Sequence, residues 1–226
     1  MDTGFRNKII PTILGCLAAI LMFLAALYAL GVIDHRDRQE VVKEPDGFGS
    51  LFTGTLMDGI MTGQGEIVYK NGDRFEGYFV DGEFNGTGIF TSASGWVYKG
   101  DFEKGLPHGQ GVFTTANGNV FTGYFTDGRI TGQGLFTAAE GWSYDGMWDH
   151  GRLTGEGLFT FEDGSFYKGE FIEGVAWGFG IYEDTSGWKY EGEFTQGLFD
   201  GKGTLTFANG EVMEATWDMG MPDIFK

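Results

Sequence analysis

Tyr190-Glu-Gly-Glu-Phe-Thr-Gln-Gly-Leu-Phe-Asp-Gly-Lys-Gly203 decides the fold of this chain, because its spacing of aromatics and glycines returns every 23 residues. Set in rows of 23 from Phe52, the first column reads Phe52, Phe75, Tyr98, Phe121, Tyr144, Tyr167, Tyr190 and then Met213, with no insertion between rows. Five further columns are Gly in all seven complete rows; in the third row they are Gly100, Gly105, Gly109, Gly111 and Gly118. Five columns over seven rows hold 35 of the 41 glycines, so a composition far from globular averages reduces to one repeated unit.

Within a row, aromatic, Gly and aromatic occupy alternate positions, as in Tyr98, Gly100 and Phe102, so they share one face of a strand. The glycine leaves room for a ring to lie on the backbone. After a turn at Lys104-Gly105, the segment Gly109-Gln-Gly-Val-Phe-Thr-Thr-Ala116 reads as a second strand. Asn117-Gly118 then leads into the next row, as do Asn71-Gly72, Asp163-Gly164 and Asn209-Gly210, and these pairs are expected to be tight turns with φ above zero.

A lone hairpin cannot bury its aromatic face, so stability must come from stacked rows that bury the first column and the fifth (Phe79, Phe102, Phe125, Trp148, Phe171, Phe194). The fold class expected is all-β, an elongated solenoid of antiparallel β-hairpins over residues 49–226. It comprises seven repeats and a degenerate C-terminal cap, in which Ala215 replaces a column glycine and Met213 the aromatic.

Ahead of the repeats, Ile9 to Ile33 carry no charge, a stretch that as a helix would span roughly 37 Å, enough to cross a bilayer. The expected organisation is a tail (1–8), a transmembrane helix (9–33), a polar linker (34–48) and the repeat domain (49–226). The apolar stretch exceeds that of a cleaved signal peptide, which points to a retained single-pass anchor. Arg6 and Lys8 on one side are matched by Arg36, Arg38 and Lys43 on the other, so charge leaves orientation balanced. The short tail favours a signal-anchor with the repeats outside the cytoplasm. The single Cys, Cys16, lies inside the apolar run and leaves the repeats no thiol for disulfide or metal.

The pattern aromatic-x-Gly-x-aromatic-x-x-Gly-x-x-x-Gly-x-Gly, seven times over from Phe52 with Gly220 continuing it, closely resembles the MORN repeat family. That resemblance implies scaffolding, dimerisation or membrane-associated assembly, with phospholipid binding often proposed, and no catalytic activity of the repeats themselves. From Gly49 to Lys226, however, 10 Lys or Arg face 26 Asp or Glu, a net charge of 10 − 26 = −16. Such a surface repels anionic lipid and nucleic acid, so the bilayer contact expected is residues 9–33 alone.

No catalytic residue, cofactor site or metal site is expected. His108 and His150 read as turn residues, and the Gly-x-Gly pairs sit between strands rather than before a helix, unlike a phosphate loop. A carboxylate pair for glycoside hydrolysis stays open on sequence, but needs a cleft that a regular repeat does not readily form. Two departures from the lattice supply the candidate binding residues. Trp96, Trp142 and Trp188 follow the row-closing Gly in alternate rows, 46 residues apart, and either seal turns or form a ladder for a glycan or partner helix. Trp177 and Phe179, then Leu198 and Phe199, place apolar side chains in turn columns of the last rows, as a contact patch or as packing for the cap. The functional expectation is a non-enzymatic scaffold that recruits a protein partner, a membrane protein or a second copy, at the membrane surface. The alternative is an extracytoplasmic module that binds envelope glycans.

Overall fold

The computed structural model describes residues 42–45 and 50–223. The expected tail and transmembrane helix lie outside these residues. Among the described residues no helix is long and apolar enough to cross a membrane. The described residues divide into two compact units, one up to Ile130 and one from Thr131 on.

In the first unit, β1 (Val42–Pro45) pairs with β2 (Leu51–Met57), so part of the stretch expected as a polar tether is a short strand. β3 (Ile60–Val68), β4 (Arg74–Val80), β5 (Glu83–Thr91), β6 (Val97–Glu103), β7 (Leu106–Thr114) and β8 (Val120–Thr126) follow, each antiparallel to the strand before it. In the second unit, β9 (Arg129–Thr137, most of it in this unit), β10 (Ser143–Asp149), β11 (Arg152–Thr160), β12 (Phe166–Ile172), β13 (Val175–Glu183) and β14 (Lys189–Thr195) repeat the arrangement. β15 (Leu198–Thr206), β16 (Val212–Asp218) and the two-residue β17 (Met221–Pro222) complete it. The described fold is all-β and built of antiparallel hairpins, as the 23-residue lattice requires.

The turns differ from the sequence expectation in which pair carries the left-handed backbone. The two-residue turn inside each repeat does so at both positions: Lys104 has φ 50° and Gly105 φ 79°, as in a type I′ hairpin. The glycine amide of that turn also reaches back one repeat, Gly105 N–H donating to the Phe84 carbonyl at 2.9 Å. The Asn-Gly turns between repeats are instead five-residue connections in which only the glycine has positive φ. Thr115 N–H donates to the Asn119 carbonyl and Gly118 N–H to the Thr115 carbonyl. The Asn or Asp contributes through its side chain, with Asp73, Ser165 and Glu211 amides donating to Asn71, Asp163 and Asn209 Oδ1 at 3.0–3.1 Å.

The core is a herringbone of rings from the first and fifth columns. In the first unit Phe52, Phe79, Phe75, Phe102, Tyr98, Phe125 and Phe121 each meet the next edge to face at 4.9–5.3 Å. In the second, Trp148, Tyr144, Phe171, Tyr167, Phe194, Tyr190 and Trp217 repeat the zigzag at 4.8–5.3 Å. Each contact adds about 0.5–1.5 kcal/mol beyond area burial. The glycines form the floor: Gly100 lies opposite Gly111, and a Cβ on Gly100 would stand 2.5 Å from the Gln110 carbonyl oxygen and 2.6 Å from Tyr98 Oη. Row eight ends the series rather than continuing it. Trp217 supplies the last fifth-column ring, 2% exposed, and Met213 supplies no ring to follow.

Candidate interaction surface

Four first-column rings are tyrosines whose hydroxyls donate to a backbone carbonyl three residues on. Tyr98, Tyr144, Tyr167 and Tyr190 reach Asp101, Met147, Glu170 and Glu193 at 3.0–3.2 Å. Burial pushes all four phenols well above their ordinary value, with neighbouring carboxylates such as Asp101, Asp145, Glu156 and Glu193 adding to the rise. They are neutral structural donors at physiological pH.

Of the three turn tryptophans, Trp142 is buried and Trp96 and Trp188 are half-buried. Trp142 is 8% exposed and sandwiched between Phe136 at 4.9 Å and Phe159 at 5.3 Å, both stacked. Trp96 stacks on Phe90 at 4.9 Å and tilts against Phe113 at 5.8 Å, and Trp188 packs between Tyr182 and Phe199. Trp142 thus has both ring faces covered by other rings, whereas Trp96 and Trp188 are half-buried, each against two rings beside its turn. Where the turn ends in Trp it begins with Ser92, Ala138 or Asp184; where it begins with Tyr69, Phe161 or Phe207 it ends in Asp73, Ser165 or Glu211; the turn from Thr115 to Asn119 carries a ring at neither end. Phe161 is 4% exposed and meets Phe159 at 4.8 Å, so its ring packs from the opposite end of its turn.

The other four candidates separate. Phe199 turns inward, stacked on Tyr190 at 3.8 Å with 9° between planes and edge-on to Trp217 at 5.4 Å. It packs under the cap. Leu198, at the start of β15 opposite Thr195, is half-buried. Trp177 and Phe179 point outward from β13, 37% and 61% exposed. Across the strand pairs, Glu170 lies opposite Trp177 and Glu193 opposite Phe179. Glu193 is held by its Oε1, which accepts the Lys202 amide at 3.3 Å.

Beside Trp177 lies a cavity of about 480 Å³ whose walls include Glu193, Asp200, Thr216 and Asp218 together with the core rings Phe194 and Trp217. The carboxylates are spread, and among the described residues no three His, Cys, Asp or Glu are grouped closely enough to hold a metal ion. His150 is a turn residue with φ 48°, as expected. His108 is not: it sits in β7 beside the left-handed Gly109, 3.6 Å from Glu103 and 3.9 Å from Asp127. The exposed apolar side chains Tyr78, Ile89 and Tyr124 in the first unit, and Leu135, Met147 and Leu158 in the second, escaped the sequence reading. Ile89, Leu135 and Leu158 share with Val112 and Ile181 a column that is aliphatic in five of seven rows, a signal present in the sequence, whereas Tyr78, Tyr124 and Met147 share theirs with Thr55, Asp101, Glu170 and Glu193, where the signal is weak.

Comparison with solved structures finds similarity to the TCP domain of SAS-4 of Drosophila melanogaster, determined in complex with a proline-rich motif of Ana2. Identity is 13%, covering 81% of this chain and 100% of that one, with a TM-score of 0.46. The TCP10 domain of Danio rerio CPAP gives 14% identity over 77% of this chain and 99% of that one, with a TM-score of 0.29. At these TM-scores neither structure bears on what this chain binds. No curated protein matches the chain. The MORN repeat model matches residues 52–74, 75–97, 98–120, 121–143, 144–166, 167–189 and 190–212, in the same register as the 23-residue rows. Seven consecutive matches, spanning most of the sequence, make the chain a member of the MORN repeat family.

Proposed function

We propose that this protein is a non-enzymatic scaffold, anchored in a membrane through residues 9–33, whose repeat domain recruits a protein partner at the membrane surface. The observation that carries the reading is the outward pair Trp177 and Phe179, 37% and 61% exposed, in columns otherwise occupied by polar residues such as Thr62, Asn85, Thr131 and Gln133. Large exposed aromatics in columns that are polar in the other rows mark a contact. The core columns are absorbed in ring packing, which supports a binding role over catalysis. The covered faces of Trp142 count against a glycan ladder.

The test is affinity purification of the full chain from detergent-solubilised membranes, native against Trp177→Ala/Phe179→Ala. A stoichiometric protein retained by the native chain and lost from the variant is expected. Retention on an envelope polysaccharide column, with no protein partner in either sample, would overturn the reading in favour of the glycan alternative. Resistance to alkaline carbonate extraction is expected of the anchor, and protease accessibility in intact cells reports the side on which the repeats lie.

A further inference from the structure

We infer that the outward face beside Trp177 is a docking groove for a linear basic segment of a partner protein, one that presents an arginine or lysine next to an apolar residue. This rests on the reading of the chain as a protein-binding scaffold and names the chemistry of its partner. Three observations combine. Trp177 and Phe179 stand two residues apart on the same face of β13 and give an apolar seat for one side chain. Glu170 and Glu193 face them across the neighbouring strands, so a cation lying over the Trp177 ring meets a carboxylate at its edge. The adjoining cavity, about 480 Å³, is of a size that takes a long side chain, and Asp200 and Asp218 add acid to its wall.

The occupant follows from the charge. The repeat domain is −16 by composition, so a second copy of the chain would be repelled and an anionic segment excluded. A bare metal ion is poorly served, because the carboxylates are not grouped to coordinate one. A guanidinium or ammonium on a flexible stem can instead stack on the indole while its polar end reaches Glu193 or Asp200, leaving an adjacent apolar residue to cover Phe179.

The test uses the full chain in detergent micelles and a fluorescein-labelled dodecapeptide of alternating arginine and leucine, followed by fluorescence anisotropy near physiological salt. The glutamate–leucine peptide is the charge-reversed control, and free spermine is the competitor representing a small polycation. Saturable binding of the arginine peptide is expected. It should weaken by about tenfold or more in Trp177→Ala and in Glu193→Gln/Asp200→Asn, and remain unchanged in Tyr124→Ala, which removes an exposed aromatic elsewhere. Thermal melting of each variant confirms that it is folded. Equal binding by native chain and Trp177→Ala, equal binding of the two peptides, or full displacement by spermine at equal concentration would overturn the inference. The purification described above separates the two readings. A native partner retained equally by Trp177→Ala and Glu193→Gln/Asp200→Asn leaves the scaffold standing and removes this groove. Peptide binding without any membrane partner does the reverse.

Discussion

Placing a methyl group on the glycine floor should separate two kinds of obstruction that the repeats hide under one residue type. A Cβ on Gly88 would meet Phe75 Cε2 and Cζ, both at 2.5 Å, while the nearest backbone atom, the Glu76 carbonyl oxygen, is 3.2 Å away. A Cβ on Gly100 would meet backbone first, with the Gln110 oxygen at 2.5 Å and Gly111 Cα at 2.6 Å, and Tyr98 Oη also at 2.6 Å. Both substitutions overpack a sealed layer and should cost about 1–3 kcal/mol. Gly100→Ala carries about 1 kcal/mol more if it displaces the Tyr98 hydroxyl from the Asp101 carbonyl. A total near 3 kcal/mol corresponds to a fall in Tm of about 6–12 °C for a domain of this size. The difference appears on rescue. Phe75→Leu alone loses the ring stacked on Phe84 at 3.7 Å and should cost about 2 kcal/mol, yet it clears the space above Gly88. Phe75→Leu/Gly88→Ala should therefore be less destabilised than the sum of its singles by about 1–2 kcal/mol. Tyr98→Leu cannot clear the Gln110 carbonyl, so its coupling with Gly100→Ala should stay under about 0.5 kcal/mol. Thermal unfolding of the full chain in detergent, followed by circular dichroism for every corner of both cycles, measures this. Equal coupling in the two cycles would refute the assignment of backbone contact at Gly100 and ring contact at Gly88.

The four buried tyrosines make stability fall at alkaline pH. Burial raises their folded-state pKa above the unfolded value near 10, so their contribution is fully present below pH 10 and is lost as pH rises beyond it. The urea midpoint should decline above pH 10, with a shallower decline in Tyr144→Phe/Tyr167→Phe; a flat profile in the native chain would contradict it. Trp142→Ala should cost about 3–5 kcal/mol and Trp177→Ala less than about 1 kcal/mol in the same melting experiment, since one ring is sandwiched and the other half in solvent. In the fifth repeat, Phe161→Ala leaves a cavity and Ser165→Trp overpacks a site that is 1% exposed, but together they move the ring from one end of the turn to the other. The double variant should be more stable than either single by about 1 kcal/mol or more, and strict additivity would refute volume exchange across the turn.

Most of the hairpin lattice was legible because the repeat tests each position seven times. A glycine that recurs beneath an aromatic has a steric cause, and the structure supplies it in the ring of Tyr98 lying over Gly100 and Gly111. The turns were read less well, for a local reason. Asn-Gly suits a type I′ hairpin and also a longer connection in which the Asn side chain caps the next amides, and a dipeptide does not distinguish the two. What does distinguish them is the rest of the row: Lys104, Asp127, His150 and Glu173 have nothing in common except the glycine that follows, and each has φ of 48–50°. The geometry of the two-residue loop overrode side-chain preference at that column.

Sorting the apolar residues of the last repeats into those that pack and those that face solvent required strand parity rather than proximity. Trp177, Phe179, Leu198 and Phe199 lie close in sequence and invite one explanation, but a strand sends alternate residues to opposite faces. On β13 the inward positions are Ala176, Gly180 and Tyr182, all buried, so Trp177 and Phe179 must point outward. On β15 Phe199 shares its column with Ala176 and Phe84, and it takes the same inward place, stacked on Tyr190 as Phe84 stacks on Phe75. Glu193 and Asp200 have outward parity on β14 and β15, which puts them on the face that carries Trp177. The variation proposed to specify a partner is thereby confined to positions the core does not use. A substitution such as Trp177 for the threonine of earlier rows can then add recognition without disturbing the stack, whereas a change at Phe199 alters the cap and would confuse loss of binding with loss of fold.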